Sequence, residues 1–109
     1  MVKSKTEINK IVRAYKEELR RHHIRGATIL LYGSYARGNP HSCSDIDLVV
    51  ISKDLNRFSP LHRQEVLAQL TMSIDAPLEV IGYTPQEFQK SHHTIFGQII
   101  RENGKVMSG

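Results

Sequence analysis

Two aspartates separated by one residue are the best candidates for chemistry in this 109-residue chain. Asp45 and Asp47 open the aliphatic segment Ile46–Ile51, whose composition is typical of a strand buried on both faces. Side chains alternate across a strand, so both carboxylates project from one face, about 6.6 to 6.8 Å apart along the chain. Two like charges on a buried strand repel each other and resist desolvation, and a hard divalent cation such as Mg²⁺ would remove that conflict. The spacing therefore predicts a metal site.

A glycine–serine turn before these aspartates has the residue types of a phosphate-binding loop. The apolar run 27–32 predicts a second buried strand that ends at Gly33. Gly33 lets backbone amides approach an anion, Ser34 offers a hydroxyl at the start of a short helix, and Arg37 adds a positive charge one turn later. Gly-Ser alone is more often a plain turn, and Asp-x-Asp alone a solvated strand end, but their order in one chain favours a combined metal and phosphate site.

A third carboxylate is predicted from the apolar segment Leu78–Tyr83. Glu79 is an acid inside this strand, and an acid in such a position needs a partner, which the metal site would supply. The alternative is a glutamate on an edge strand that faces water. Asp75 competes for the same role, but it precedes Ala76-Pro77 in a segment typical of a turn. We therefore predict that Glu79 completes the site.

The order of these segments resembles the signature of a known family. The string GSYARG, followed after NPHSC by SDIDLVV, is similar to the signature of nucleotidyltransferases of the DNA polymerase beta superfamily, and LEVIGYTPQEF resembles the third-carboxylate strand of its minimal, single-domain (MNT-type) branch. The resemblance implies an α/β (α+β) fold, in which a small mixed β-sheet has helices packed on one face. The family usually carries Asp where Glu79 stands.

The resemblance also implies an activity and a set of site residues. The activity is Mg²⁺-dependent transfer of a nucleoside monophosphate from ATP, or another nucleoside triphosphate, to a hydroxyl acceptor. Two Mg²⁺ ions, about 3.5 to 4 Å apart, would be held by the catalytic carboxylates Asp45, Asp47 and Glu79. The nucleotide phosphates would be bound by Gly33, Ser34, Arg37 and Ser44.

The acceptor is not visible in the sequence, and three functional hypotheses follow. The family branch is often paired with a helical HEPN-type protein in toxin–antitoxin modules, which suggests such a protein as partner and acceptor. A second hypothesis is an antitoxin-like binding module with weak or no catalysis. A third is nucleic-acid binding, because residues 1–25 hold eight Lys or Arg against three Glu, whereas the remainder holds seven against eight acids. The one aromatic residue among those charges, Tyr15, recurs at helical spacing with Ile8, Val12 and Leu19 in an apolar stripe, so a solvated helix face is the better interpretation of the charges.

The length and composition indicate one domain, 1–109, with an N-terminal helix at about 5–24, a catalytic core at about 27–83 and C-terminal helices at about 85–103. The single cysteine, Cys43, excludes an internal disulfide, and no segment has the length and apolarity of a signal peptide or membrane span, so we expect a cytoplasmic protein without membrane association. So short a chain leaves little material for an acceptor pocket. We therefore expect it to associate, with itself or a partner, through apolar residues of the C-terminal segment: Ile95, Phe96, Ile99 and Ile100.

Overall fold

The computed structural model describes residues 3–38, 40, 45–91, 94, 97–98, 100, 102 and 104–107. Within that part the chain forms a four-stranded mixed sheet and helices, as the sequence predicts. No helix in the described residues is both long and apolar enough to cross a bilayer. The elements in chain order are α1 Lys5–Arg21, β1 Thr28–Tyr32, α2 Gly33–Arg37, β2 Ile46–Ile51, a 3₁₀ helix Lys53–Arg57, α3 Pro60–Leu70, a 3₁₀ turn Thr71–Ser73, β3 Leu78–Tyr83, α4 Pro85–Lys90 and β4 Lys105–Val106.

The sheet is built around β2. Its strand order is β3-β2-β1-β4, in which β2 runs antiparallel to β1 and parallel to β3. Ile46, Leu48, Val49 and Val50 are fully buried, because strands lie on both sides of β2 and side chains cover both of its faces. A strand in this central position needs apolar side chains on both faces, which explains the continuous aliphatic run from which it was predicted.

The main core lies on one face of the sheet, between the sheet and the long helices. Helix α1 presents its apolar stripe to this face, with Ile8, Val12, Tyr15 and Leu19 buried. The Tyr15 hydroxyl donates a 2.8 Å hydrogen bond to the carbonyl of Leu67 in α3, which satisfies its polar atom and joins the two helices. These four buried residues recur at helical spacing, so the apolar stripe of α1 is already visible in the sequence.

Capping residues set where the helices begin. Ser4 and Glu7 form a capping box at the start of α1, and Thr84 and Glu87 form another at the start of α4. Ser59 caps α3 and Pro60 occupies its first turn, where the missing proline N–H would have no partner in the helix. Helix α1 ends at Arg21, three residues earlier than the predicted boundary near residue 24.

A second, smaller cluster occupies the opposite face of the sheet. Leu30 and Val49, which are paired across β1 and β2, pack there against Ile100, and Phe88 and Tyr83 lie at its margin. Ile100 is 1% exposed. It therefore belongs to the core and not to the exposed apolar patch expected from the sequence, which is a correction. The other members of that predicted patch, Ile95, Phe96 and Ile99, lie outside the described residues, as does Cys43.

Helix α3 covers the free edge of β3 with polar side chains. The amide of Gln64 donates to the Val80 carbonyl and accepts from the Gly82 N–H, both at 3.1 Å, which is the pair of bonds that a further parallel strand would make. Arg63 is 5% exposed and pairs with Glu87 at 2.6 Å. Hydrophobicity alone would place Leu61 in the core with Leu67 and Leu70, but Leu61 is instead 74% exposed. Arg63 takes the buried position because it reaches the edge of the sheet and the cap of α4.

Candidate active site

The two aspartates lie where β2 begins. Asp47 is the second residue of the strand and is partly buried, whereas Asp45 precedes the strand and is exposed. Alternation along the chain directs both to the same side of the sheet, and the charge of Asp45 is one cause of the raised pKa of Asp47. The structure therefore brings these two predicted residues together.

Glu79 lies beside Asp47 on the adjacent strand. The parallel register pairs Asp47 with Glu79, so both carboxylates project from the same face of neighbouring strands, which are about 4.8 Å apart. Glu79 is exposed, on a strand at the edge of the sheet. Its charge is among those that raise the pKa of Asp47, whereas Asp75, exposed in the bend before β3, is not among the causes.

The backbone of Gly33 approaches the Asp47 carboxylate closely. Gly33 is the first residue of α2 and has φ = 74°, in the left-handed region that favours glycine. A Cβ atom at this position would overlap Oδ2 of Asp47 and lie 3.0 Å from its Cγ. Glycine is therefore required both by the backbone angle and by the carboxylate packed against it.

The remaining predicted phosphate-binding residues lie along α2. The residue preceding this helix, Tyr32, makes no side-chain capping hydrogen bond to it. Ser34 is partly buried in the first turn, and Arg37 is exposed at the end of the helix. The positive charge of Arg37 opposes the raised pKa of Asp47 but is outweighed by burial and the neighbouring carboxylates. Ser44 lies outside the described residues.

The electrostatics of the site are those of crowded negative charge. Burial is the largest cause of the raised pKa of Asp47, followed by the charges of Asp45 and Glu79. Tyr32 pairs with Asp47 on the other side of β2, and burial together with the charges of Asp47 and Glu79 raises the pKa of its phenol to about 12. The phenol is therefore neutral at physiological pH, so it adds no negative charge to the three carboxylates.

These donors suit a hard cation, because carboxylate oxygens are the ligands that Mg²⁺ prefers and a bound cation would offset their repulsion. Within the described part of the chain, however, no three acidic, histidine or cysteine side chains are close enough to form a ready-made metal cage. The site is therefore a row of carboxylates that is open to solvent at Asp45 and Glu79. A cation held there would take its remaining oxygen ligands from water or phosphate.

Sequence reasoning missed Tyr32 as a member of the site. Its place next to Gly33 was visible, but its position opposite Asp47 depends on the register between β1 and β2, which the intervening loop leaves undetermined. One sequence signal could have indicated it. In two consecutive antiparallel strands, the last residue of the first strand lies near the first residues of the second, which here places Tyr32 opposite Asp47.

Comparisons with known proteins agree with this architecture. Residues 12–99 match the model of the family described as "Nucleotidyltransferase domain". The protein adenylyltransferase MntA of Shewanella oneidensis is 26% identical over 101 residues, which cover 93% of this chain and 64% of that protein. The chain spans only 54% to 64% of the length of the curated relatives it matches.

Solved structures show the same fold. A chain in a crystal structure of a toxin–antitoxin with AMP-PNP is 25% identical, with a TM-score of 0.62 over 93% of this chain and 73% of that one. A chain in the structure of the tri-AMPylated Shewanella oneidensis HEPN toxin in complex with MNT antitoxin is 22% identical, with a TM-score of 0.53 over 91% and 72%, and supports the fold alone. Because the family model covers most of the chain, including both β2 and β3, this chain belongs to the nucleotidyltransferase domain family.

Proposed function

We propose that this chain is a Mg²⁺-dependent adenylyltransferase that moves AMP from ATP to a hydroxyl group of a HEPN-type toxin partner. The observation that carries the proposal is the close approach of the Gly33 backbone to Asp47, with Glu79 paired beside that aspartate. Elements suited to phosphate and to metal thus meet at one point. The relative named as a protein adenylyltransferase and the similar chain solved with AMP-PNP support adenylate as the transferred group.

Each residue has a role that follows from its position. Asp45 and Asp47 would bind metal, and Glu79, exposed at the open side of the row, would bind the second ion and accept the proton of the attacking hydroxyl. Gly33 and Ser34, at the start of α2, would hold the outer phosphates of ATP, and Arg37 would add positive charge. Ser44, which directly precedes Asp45, is proposed as a further phosphate contact. Mg²⁺ bound here would neutralise phosphate charge and lower the pKa of the attacking hydroxyl.

The proposed reaction is an in-line displacement. The acceptor oxygen forms a bond to the α-phosphorus of ATP, and the bond from that phosphorus to the bridging oxygen of the β-phosphate breaks. Pyrophosphate leaves, and the hydroxyl proton passes to Glu79. Catalysis by positioning of this kind requires little covalent chemistry from the protein, which suits a site made of carboxylates and backbone amides.

The acceptor is proposed to come from another molecule. Asp45 and Glu79 are exposed, so the described residues leave this side of the row open. A partner protein that covers it would bring its own hydroxyl to the carboxylates. Association of two copies of this chain is the alternative way to complete the pocket, and a two-fold dimer is its simplest form.

Labelled ATP tests the proposal. The purified chain is incubated with Mg²⁺ and a purified HEPN-type toxin, using ATP labelled either at the α- or at the γ-phosphate. We expect label on the partner from α-labelled ATP only, and none with Asp45→Asn plus Asp47→Asn; Asp75→Asn is the matched control and should retain transfer.

Two outcomes would contradict the proposal. Transfer of the γ-label would indicate a kinase. A stable complex with the partner but no label from either form of ATP would instead support the antitoxin-like binding module.

A further inference from the structure

The outer edge of β4 is available for another strand. Strand β4 pairs with β1 so that Lys105 is opposite Leu31 and Val106 is opposite Leu30, and the next residue, Met107, donates its N–H to the Ile29 carbonyl at 2.8 Å. Hydrogen-bonded and non-hydrogen-bonded pairs alternate along an antiparallel ladder. Val106 is therefore in a non-hydrogen-bonded pair, and its N–H and C=O point away from β1. This edge strand has no neighbour on its outer side among the described residues.

An apolar groove lies directly beside this edge. It has a volume of about 400 Å³ and runs between β4 and the first turns of α1. Side chains of Ile8, Leu31, Tyr35 and Met107 line it. Lys105 and Met107 share the face of Leu31, because alternate residues of a strand point the same way, so the groove opens on the helix-covered side of the sheet. Val106 is 67% exposed at the rim.

The rim of the groove is positively charged. Lys3, Lys5 and Lys105 line it, and no described acidic residue does. The nearest carboxylate in sequence is Glu7, which is engaged in the capping box through the Ser4 N–H. None of the three lysine side chains forms an ion pair within the described part of the chain. The groove therefore combines a largely apolar floor, an unpaired backbone edge and three lysines outside any ion pair, of which Lys3 lies near enough to Glu7 to contribute to the lowered pKa of that carboxyl.

We propose that this groove binds an extended acidic segment of a partner protein, which adds to β4 as a fifth strand. The outward N–H and C=O of Val106 would pair with the peptide backbone, an aliphatic side chain of the segment would enter the groove, and flanking Asp or Glu residues would meet the three lysines. The outward backbone groups of β4 match the donors and acceptors of a peptide backbone. Among the described lining residues Tyr35 is the single aromatic side chain, whereas a nucleic-acid strand stacks successive bases on several aromatic side chains. This surface is separate from the carboxylate row, and the proposal does not depend on catalysis.

Defined peptides test the proposal. Three fluorescein-labelled acidic heptapeptides, DEVIVED, DELVLED and DEIFIED, are titrated with the full chain, and anisotropy is read together with ¹⁵N–¹H spectra. Binding by at least one, with amide shifts concentrated at residues 29–31 and 104–107, supports the proposal. No binding by any of the three up to 1 mM, or equal binding by the basic peptide KKVIVKK, overturns it. So does a chemical-shift pattern centred elsewhere.

Paired variants separate backbone pairing from charge. Val106→Pro removes the outward N–H without removing a bond to β1, so we expect peptide binding to weaken by about 2- to 10-fold, whereas Val106→Thr should bind like wild type. Lys105→Glu should weaken binding by about 2- to 5-fold, and Lys53→Glu, an equal change of charge away from the groove, should leave it unchanged. If all four variants bind the peptide as tightly as wild type does, the proposal is overturned.

A third comparison needs no protein variant. Replacing alternate peptide N–H groups by N-methyl groups should abolish binding to wild-type protein, which decides the question even if Val106→Pro does not fold. If light scattering instead shows a dimer that Val106→Pro dissociates, the groove is occupied by a second copy of this chain and the proposed partner is wrong.

Discussion

Replacement of Gly33 by alanine tests the close contact on which the site depends. The left-handed backbone of Gly33, φ = 74°, costs a residue with a Cβ about 1–2 kcal/mol. The new Cβ would in addition overlap Oδ2 of Asp47 and lie 3.0 Å from its Cγ, and overpacking of this kind costs about 1–3 kcal/mol. We expect Gly33→Ala to lower the free energy of unfolding by about 2–5 kcal/mol, the sum of the two effects.

Gly38 provides a matched control at the other end of the same helix. Its φ is 79°, but a Cβ there would meet nothing within 4 Å. Gly38→Ala should therefore cost only the conformational part, about 1–2 kcal/mol. In an Asp47→Ala background the overlapping carboxylate is gone and only the Cβ of residue 47, 3.3 Å away, remains, so the cost of Gly33→Ala should fall close to that of Gly38→Ala.

Urea unfolding with chelator present measures these differences without a contribution from metal. The double-mutant cycle of Gly33→Ala with Asp47→Ala should give a coupling energy of about 1–3 kcal/mol. If Gly33→Ala costs no more than Gly38→Ala, or if the cycle shows no coupling, the carboxylate is not packed against the Gly33 backbone and the proposed geometry of the site is wrong.

Two further predictions concern charge. The pKa of Asp47 is raised, so its carboxyl holds a proton more tightly in the folded state than in the unfolded state. Metal-free protein should therefore lose stability as the pH rises from the unfolded-state pKa of Asp47 through its folded-state pKa. Calorimetry at pH 8 should show a higher melting temperature for Asp47→Asn than for wild type. Glu87 has a lowered pKa, held down against burial chiefly by its hydrogen bond with Arg63, so its contribution is present at neutral pH and lost as the pH falls through the lowered value. Glu87→Gln should lower the free energy of unfolding in urea at pH 7 by about 1–2 kcal/mol, a figure kept low because the side chain of Glu87 is 43% exposed. Adding Arg63→Met to this variant should recover part of the lost stability, because it removes the buried charge left without its partner. No loss for Glu87→Gln at pH 7, or an equal loss at pH 3, would contradict the pairing.

Much of the fold could be predicted because local sequence signals and tertiary structure agree. The limits of β2 and β3 coincide with the predicted segments, since each is a run of apolar residues bounded by turn residues. The capping boxes of α1 and α4 fix where those helices begin, and a capping box is a local pattern. The mixed sheet came from the family resemblance, because strand order is not encoded in any single segment.

Features that depend on pairing between distant residues were not predictable. Strand β4 was missed because two residues carry no periodicity, and it exists only through its ladder with β1. The burial of Arg63 was missed for a similar reason: a charged residue in an amphipathic helix normally faces water, and its partner Glu87 is 24 residues away. In the site, Asp45, Asp47 and Glu79 were identifiable by type and spacing, but the register that places Tyr32 and Glu79 on either side of Asp47 required the sheet.

The claim that these carboxylates and the glycine turn form one metal–nucleotide site is tested most directly by calorimetric titration of the full chain with ATP. With Mg²⁺ or Mn²⁺ present we expect saturable binding that is abolished by chelator and by Asp45→Asn plus Asp47→Asn, and retained in Asp75→Asn. Nucleotide binding that is unchanged by the chelator or by the double substitution would contradict the account.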